Sequence, residues 1–282
     1  MTTYFVTGVT GKLGRAALTT LLANGVAASD IVVGVRDLAR ASEFDALGVT
    51  VRQTDFTQPA TLATAFAGVD KLLLVSSQPS ETYSRLDQHK NVIDAAKNAG
   101  VSLIVYTSLA DVENSDLVLA PDHLATEQYL AQSDVAFAVV RNNWYLENEL
   151  DAIKAGDFTY ATGDAKIGWA LIREYGEGAA KVLLADNVRQ VYEFSGALHT
   201  YAELAAAVQR VSGQNVAVKA VSLAEFSAGL SASGAPSGVV DFVSALQAGI
   251  AAGNLAVASS DLADVLGRPL ATLDEAVAEL LK

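Results

Sequence analysis

Three glycines at three-residue spacing, Gly8, Gly11 and Gly14, separate a β-branched and aromatic segment from a segment of helical periodicity. Residues 3–6 are typical of a strand, and apolar side chains recur at helical spacing from 13 to 22. Glycines in such a turn let backbone N–H groups approach a ligand that a Cβ would exclude, and the following helix presents unpaired N–H groups and its positive dipole end. The chain therefore begins with a strand, turn and helix that suit the pyrophosphate of a dinucleotide.

The spacing of these glycines is G-x-x-G-x-x-G rather than the G-x-G-x-x-G of the best-known dinucleotide fingerprint. Spacing alone is a weak signal in a chain with 21 glycines among 282 residues. The position of the glycines between a strand and an amphipathic helix is stronger evidence, and it favours nucleotide binding over a plain tight turn. The predicted contacts in this loop are Gly8, Thr10, Gly11, Lys12, Leu13 and Gly14.

Short apolar segments alternate with amphipathic ones through the first 140 residues. Segments that are apolar throughout suit strands buried on both faces of a parallel sheet. Their regular spacing is typical of a doubly wound fold, so we predict the α/β class with a Rossmann-like doubly wound parallel sheet. The predicted strands after the first are 31–35, 49–53, 71–75, 102–106 and 135–140, and the predicted helices after the first are 38–47, 59–67, 86–99 and 122–131.

The regular alternation ends after residue 148. We predict an NAD(P)-binding Rossmann domain over residues 1–150 and a smaller α+β substrate-binding or cap region over 151–282, above the carboxyl edge of the sheet. The second part contains alanine-rich helices at 201–211 and 224–230. Its short strand, Val191–Phe194, belongs either to the cap or to the main sheet.

Composition restricts the chemistry and the partners. The chain has no cysteine, which excludes disulfides and thiolate catalysis, and its three histidines are too widely spaced to suggest a metal site. The net charge of −13 opposes binding to nucleic acid, and no run of about 18 apolar residues suggests a membrane span. We expect a cytoplasmic protein that binds a small molecule and neither nucleic acid nor membrane; a homodimer is left open.

Arg36 is the first side chain after the second predicted strand. Sites for NAD generally place a carboxylate there for the ribose 2′-hydroxyl, whereas NADP sites use an arginine for the 2′-phosphate. Asp37 follows, either as the cap of the next helix, which we favour, or as a ribose contact. NADP(H) is therefore the predicted cofactor, and a merely solvated Arg36 is the alternative.

Polar residues at the ends of the later strands are further candidates for cofactor binding. Asp55 either binds the adenine amino group or caps the helix that follows. Tyr106 either lines the nicotinamide pocket or is a buried strand aromatic. The remaining candidates at strand ends are Ser76, Ser77, Thr107 and Ser108.

Taken together, several motifs resemble those of the NmrA-like, atypical short-chain dehydrogenase/reductases, and most of all the NADPH-dependent quinone oxidoreductase type 2 group. The resemblance covers nearly the whole chain, and the order of the motifs is more specific than any one of them. The motifs are Thr7–Gly14, Val35–Asp37, Gln53–Asp55, Tyr106–Ser108, His123–Glu127, Val140–Asn148 and Val191–Gly196.

The usual chemistry of this family uses Tyr-x-x-x-Lys, in which the tyrosine protonates a carbonyl oxygen. The resemblance aligns His123 with the lysine and Leu119 with the tyrosine, and a leucine cannot donate a proton. A quinone relaxes this requirement, because hydride transfer gives a resonance-stabilised anion that water can protonate. The resemblance therefore implies direct hydride transfer from NADPH to a quinone-type acceptor; a non-catalytic NADP-binding redox sensor that regulates a protein partner is the alternative.

The predicted catalytic residues are His123, Tyr145 and Asn143. His123 contacts the nicotinamide ribose or an acceptor carbonyl, or else is a surface histidine of its helix. The segment after the sixth strand places Trp144 and Tyr145 where a flat acceptor would stack, unless they are packing residues between the two parts. We expect His89 to be structural or solvent-facing.

Overall fold

The computed structural model describes residues 1–80 and 82–282. Its main element is a seven-stranded sheet in the order β3-β2-β1-β4-β5-β6-β8, with every neighbouring pair parallel. The strands of this sheet are β1 Tyr4–Val6, β2 Ile31–Val35, β3 Thr50–Gln53, β4 Lys71–Leu74, β5 Leu103–Leu109, β6 Ala136–Asn142 and β8 Val191–Phe194. The chain reverses direction along the sheet between β1 and β4, so a crevice opens at the carboxyl ends of these strands. The predicted Rossmann-like α/β class is confirmed.

Helices cover both faces of the sheet. One layer contains α1 Lys12–Ala23, α7 Ile172–Leu184 and α11 Asp261–Leu266, and the other contains α3 Pro59–Ala65, α4 Arg85–Ala99 and α5 Ala120–Ala131. The first layer buries a cluster that includes Leu18, Val33 and Tyr175, and the second buries one that includes Phe5, Phe66 and Ile93. Both faces of the main sheet are therefore shielded from water, which explains why its strands are largely apolar.

The predicted helix 38–47 is wrong. The structure has a 3₁₀ turn, Leu38–Arg40, followed by a single helical turn, α2 Ser42–Asp45. Asp37 Oδ1 accepts a hydrogen bond from the backbone N–H of Ala39 at 2.9 Å, so it caps the turn as predicted. Phe44 is the only buried residue of α2, and one apolar anchor cannot hold a longer helix on the sheet.

The rest of the chain forms a second, smaller layer around a two-stranded parallel pair, β7 Asp157–Tyr160 and β9 Ala217–Ala220. Its helices are α6 Leu150–Ala155, α8 Tyr201–Ser212, α9 Leu223–Ala232, α10 Ser237–Ala251 and α12 Leu273–Leu280. Their shared core includes Tyr160, Trp169 and Tyr201.

The strand Val191–Phe194 pairs with β6 in the main sheet rather than with β7 or β9. Helix α7 packs against α1, so it also lies on the main sheet although its sequence follows residue 150. The division of the chain at residue 150 stays a prediction. Within the described ranges, no helix combines the length and the apolar character needed to cross a bilayer.

Candidate active site

The glycine loop joins β1 to α1 at the crevice. Gly8 has a φ of +65°, a left-handed conformation that favours glycine. A Cβ at Gly14 would lie 2.5 Å from the carbonyl oxygen of Gly8, so the helix approaches the loop more closely than any other residue would allow. Gly11 is the N-cap of α1, and no described side chain caps this helix. The first N–H groups of α1 are therefore free to bind an anion.

A cavity of about 300 Å³ lies beside this loop. Its walls come from the carboxyl ends of β1, β2, β3 and β4, where the sequence predicted the adenosine part of a dinucleotide. Among the predicted residues, those on this wall are Gly8, Thr10, Arg36, Asp55, Ser76 and Ser77.

Arg36 is exposed at the rim of this cavity, at the end of β2. The carboxylate of the neighbouring Asp37 is engaged by the backbone of Ala39. The position therefore offers a cation to a ribose bound there, as NADP requires.

Asp55 is held by the turn that follows β3. Its carboxylate accepts hydrogen bonds from the backbone N–H and hydroxyl of Thr57, at 2.9 and 2.7 Å, and from Gln58 Nε2 at 2.8 Å. Burial raises the pKa of Asp55, but these hydrogen bonds outweigh it and hold the pKa below its ordinary value. Asp55 does not cap α3, whose N-cap residue is Gln58, so its first role is to shape this wall of the cavity.

Side-chain hydrogen bonds join the end of β5 to the end of β4 and to α5. Thr107 Oγ1 accepts from the backbone N–H of Ser76 at 2.9 Å, and the Ser108 hydroxyl donates to Glu127. Thr107 and Ser108 therefore support the crevice, and Ser108 also reaches a second cavity.

Tyr106 was predicted to line the nicotinamide pocket or to be a buried strand aromatic, and the structure shows the second arrangement. Its side chain is fully buried and lies on neither cavity wall. Successive side chains of a strand point to opposite faces, and Tyr106 points into the layer of α4 and α5.

The second cavity, of about 540 Å³, shares Ser76 and Gln78 with the first. The two cavities therefore adjoin at these residues and together line the crevice along the carboxyl edge of the sheet. Its apolar and aromatic wall consists of Leu109, Leu119, Trp144, Tyr145, Tyr201, Phe242, Val243, Leu246 and Ile250. Its polar residues include Arg85, Ser108, His123, Asn142 and Glu149.

Two buried oxygens in this crevice have no hydrogen-bond partner among the described residues: Ser77 Oγ in the first cavity and Asn142 Oδ1 in the second. An unpaired buried polar atom is costly, and a polar ligand lying along the crevice would satisfy both. These two oxygens and the uncapped start of α1 fit a dinucleotide that spans from the glycine loop to the second cavity.

His123 lies near the start of α5 in the wall of the second cavity, 7% exposed. Its Nδ1 is 2.7 Å from Tyr106 Oη. Burial lowers the pKa of His123 to about 3, with further contributions from Arg85 and His89, so the ring is neutral at physiological pH. Leu119, which the resemblance aligns with the family's tyrosine, lies in the same wall.

The two other predicted catalytic residues, Asn143 and Tyr145, differ in whether their polar groups are free to bind a ligand. Asn143 donates from Nδ2 to Ser195 Oγ and to the carbonyl oxygen of Leu255, and its Oδ1 accepts from the backbone of Trp144. Its amide is fully used within the protein, and we give it a structural role instead. Tyr145 Oη accepts from Asn142 Nδ2 at 3.1 Å, which leaves its own hydrogen for a ligand in the cavity.

Several residues of this cavity were missed by the sequence analysis. Arg85 is 4% exposed and its guanidinium donates to the carbonyl oxygen of Ser77 and to Asp122. A cation in the first turn of a helix opposes the helix dipole, and this unfavourable placement was the available signal. Glu149, which lies on the cavity wall, accepts hydrogen bonds from Trp144 Nε1 and the Tyr201 hydroxyl.

A larger cavity of about 660 Å³ lies between α8 and α12, away from the glycine loop. Two pairs of its charged or titratable side chains contact each other: Arg210 makes a bidentate contact with Asp274, and His199 lies beside Glu203. None of the predicted site residues lies on its wall. The crevice at the carboxyl edge of the sheet is therefore the better candidate site.

Comparison with known proteins agrees with this geometry. Residues 8–168, more than half of the chain, match a family described as NAD(P)H-binding. Quinone oxidoreductase 2 of Escherichia coli (strain K12) is 41% identical over 98% of this chain and 97% of its own.

Solved structures give the same result. A crystal structure of NADPH-dependent quinone oxidoreductase from Escherichia coli complexed with NADPH superposes with a TM-score of 0.93, at 40% identity and with 99% and 100% of the two chains covered. The Citrobacter sp. triphenylmethane reductase complexed with NADP(H) gives 0.91 at 32% identity, with 99% and 100% covered. The resemblance drawn from the motifs is confirmed: the chain belongs to the NAD(P)H-binding family, in the group that contains quinone oxidoreductase 2.

Proposed function

We propose that this protein is an NADPH-dependent reductase that transfers hydride directly to a quinone-type acceptor. The observation that carries the proposal is that the cavity beside the uncapped glycine loop adjoins an aromatic and apolar cavity along the same sheet edge. A relative named quinone oxidoreductase 2 supports the acceptor class at 41% identity over nearly the whole chain.

The first cavity and the loop hold the cofactor in this proposal. Backbone N–H groups in the first turn of α1, from Lys12 onward, bind the pyrophosphate, and Arg36 binds the 2′-phosphate. Ser77 Oγ and Asn142 Oδ1 supply hydrogen-bond partners further along the crevice. NADPH, when bound, supplies the hydride.

The second cavity holds the acceptor. Trp144 and Phe242 offer flat apolar surfaces for a planar ring, and Tyr145 has a hydroxyl hydrogen free to orient it. Because Leu119 stands where the family's proton donor would be, the anion formed by hydride transfer takes its proton from water. A quinone suits such a site since its reduced anion is stabilised by resonance. The remaining work of the protein is to orient the two ligands and to exclude competing reactions.

Two further features belong to the proposal. We place the enzyme in the cytoplasm on the basis of its cysteine-free composition, and we propose that it can form a homodimer. Size-exclusion chromatography with light scattering tests the second point, because a monomer at all concentrations would contradict it.

The proposed activity is tested by following the loss of NADPH absorbance with purified protein and a panel of benzoquinones and naphthoquinones. We expect quinone-dependent oxidation that is faster with NADPH than with NADH, and none without a quinone. Tight NADPH binding without turnover on any acceptor would contradict the reductase and favour a non-catalytic NADP-binding regulator.

Replacement of Arg36 by alanine is expected to weaken the binding of NADPH far more than the binding of NADH. The charge-assisted contact with the 2′-phosphate contributes about 1.5–3 kcal/mol, which corresponds to about a tenfold to hundredfold loss of NADPH affinity. Binding is measured by calorimetry or cofactor fluorescence. Arg40→Ala is the matched control, because Arg40 is exposed on the same segment and lies outside the cavity wall. Equal losses of affinity for NADPH and NADH would show that Arg36 does not contact the 2′-phosphate.

A further inference from the structure

Behind the wall of the acceptor cavity lies a buried polar chain that the proposed mechanism has not used. It consists of His89 on α4, Thr126 and His123 on α5, and Tyr106 on β5. His89, Tyr106 and Thr126 are fully buried. The ring centroid of Tyr106 lies 5.2 Å from that of His89 and 5.9 Å from that of His123. Buried polar groups of this kind must satisfy one another, so their hydrogen bonds can be assigned a direction.

The tautomer of His89 follows from its two partners. The backbone N–H of Ser77 donates to His89 Nε2 at 3.0 Å, and since an amide N–H can only donate, Nε2 carries no proton. His89 Nδ1 is 3.0 Å from Thr126 Oγ1, whose own hydrogen goes to the carbonyl oxygen of Asp122 at 2.8 Å. His89 therefore carries its proton on Nδ1 and donates it to Thr126.

The tautomer of His123 is the opposite. Tyr106 Oη lies 2.7 Å from His123 Nδ1, its hydrogen-bond partner within the described part of the chain. The hydroxyl hydrogen of the nearby Thr126 is already committed to Asp122, so it cannot serve Tyr106. A buried O–H must find an acceptor, and the imidazole nitrogen is a better one than a hydroxyl oxygen that already accepts from His89. Tyr106 therefore donates to Nδ1, and His123 carries its proton on Nε2.

We propose that Tyr106, supported by His89 and Thr126, holds His123 as the neutral Nε2–H tautomer, whose N–H donates to the acceptor oxygen on which negative charge develops. His123 Nε2 has no protein partner among the described residues, and the ring stands in the cavity wall. His123 is then the group that contacts the acceptor, and Tyr106, Thr126 and His89 are positioning residues. This inference rests on the proposed function and deepens it.

The proton stays on His123 during the reaction. If the ring gave up its Nε2 proton and took the hydroxyl proton of Tyr106, a buried tyrosinate would remain, and burial raises the pKa of Tyr106 above its ordinary value. The acceptor thus receives the hydride with its two electrons, His123 stabilises the resulting anion through a hydrogen bond, and a proton from water completes the reduced product. A neutral imidazole suits this role because it donates without adding a buried charge.

The tautomers are read directly by two-bond ¹H–¹⁵N correlation spectra of protein labelled at histidine. The chain has three histidines, and His199→Asn identifies the third. We expect His89 in the Nδ1–H form and His123 in the Nε2–H form. In Tyr106→Phe, the chemical shift of His123 Nδ1 should move towards that of an imidazole nitrogen that accepts no hydrogen bond. The pattern of His89 should stay the same. A wild-type spectrum with His123 in the Nδ1–H form would overturn the assignment.

Kinetics test the role of the N–H group. We expect Tyr106→Phe to lower kcat about threefold to tenfold with little change in the NADPH Kd, since one orienting hydrogen bond is lost. Tyr129→Phe is the matched control, because its hydroxyl donates to Asp94 on the exposed side of α4. His123→Gln, which keeps an N–H, should retain more activity than His123→Leu. Equal activity of these two variants would remove His123 from the chemistry. Expected tautomers in a protein that turns over no quinone would instead contradict the proposed function.

Discussion

Replacement of Gly14 by alanine is expected to disable cofactor binding. The new Cβ would lie 2.5 Å from both the carbonyl carbon and oxygen of Gly8 and 2.7 Å from the carbonyl oxygen of Thr7. These are backbone atoms of the glycine loop, so relief of the contact must move the loop itself. Overpacking of this kind costs about 1–3 kcal/mol. If the loop must regain its geometry to bind NADPH, that cost corresponds to about a fivefold to 150-fold loss of NADPH affinity.

The measurement is a titration of NADPH into the Gly14→Ala protein, with thermal unfolding recorded alongside. Gly229→Ala is the matched control, because Gly229 also lies in a helix but a Cβ there would meet nothing within 4 Å. Alanine is the better helix former, so this variant should be as stable as the wild type or slightly more so. Unchanged NADPH affinity in Gly14→Ala would show that the loop is not the phosphate site.

Acidification is expected to destabilise the protein through its two buried histidines. Burial, reinforced by Arg85, lowers the pKa of His89 and of His123 to about 3 in the folded state. In the unfolded chain each imidazole takes up a proton below its ordinary pKa of about 6.5. The unfolded state therefore binds more protons between about pH 6.5 and about pH 3, and stability falls as the pH falls through this window. At about pH 5 each histidine contributes a loss of about 2 kcal/mol, or about 4 kcal/mol together.

Urea unfolding at a series of pH values measures this effect. His89→Gln removes one of the two groups, so the dependence of the unfolding free energy on pH should become shallower by about 1.4 kcal/mol per pH unit. Buried carboxylates such as Glu149 and Glu193, whose pKa values are raised by burial, act in the opposite direction. They are present in both proteins and cancel in the difference. Parallel curves for the two proteins would contradict a neutral, buried His89.

The stability of the protein in acid and the proposed chemistry of the site both depend on one property, the neutral state of the buried histidine. A histidine that stays neutral in the fold is destabilising in acid, because protonation favours unfolding, yet it can donate a hydrogen bond at neutral pH without burying a charge. Arg85, held by the carbonyl oxygen of Ser77 and by Asp122, further disfavours a second cation nearby.

The main sheet was largely predictable, because its elements are marked by local patterns. The β1–α1 unit follows from its apolar periods and its glycines, and Arg36 follows from its position at the end of a strand. The prediction of a helix over 38–47 failed because Phe44 is the only buried residue that anchors α2. Helices α7, α10, α11 and α12 were not predicted, since alanine-rich segments without strands between them give weak boundaries.

By itself, the sequence determined the parallel sheet and the glycine turn between β1 and α1, because periodicity and glycine placement act within a few neighbours. Only the tertiary structure decided which polar groups meet. It brought His89, Tyr106 and His123 together from two helices and a strand, engaged the amide of Asn143 in hydrogen bonds, and placed Arg85 and Phe242 on the wall of the second cavity. Such contacts depend on how the layers pack, and residues far apart in the chain leave no local pattern that records them.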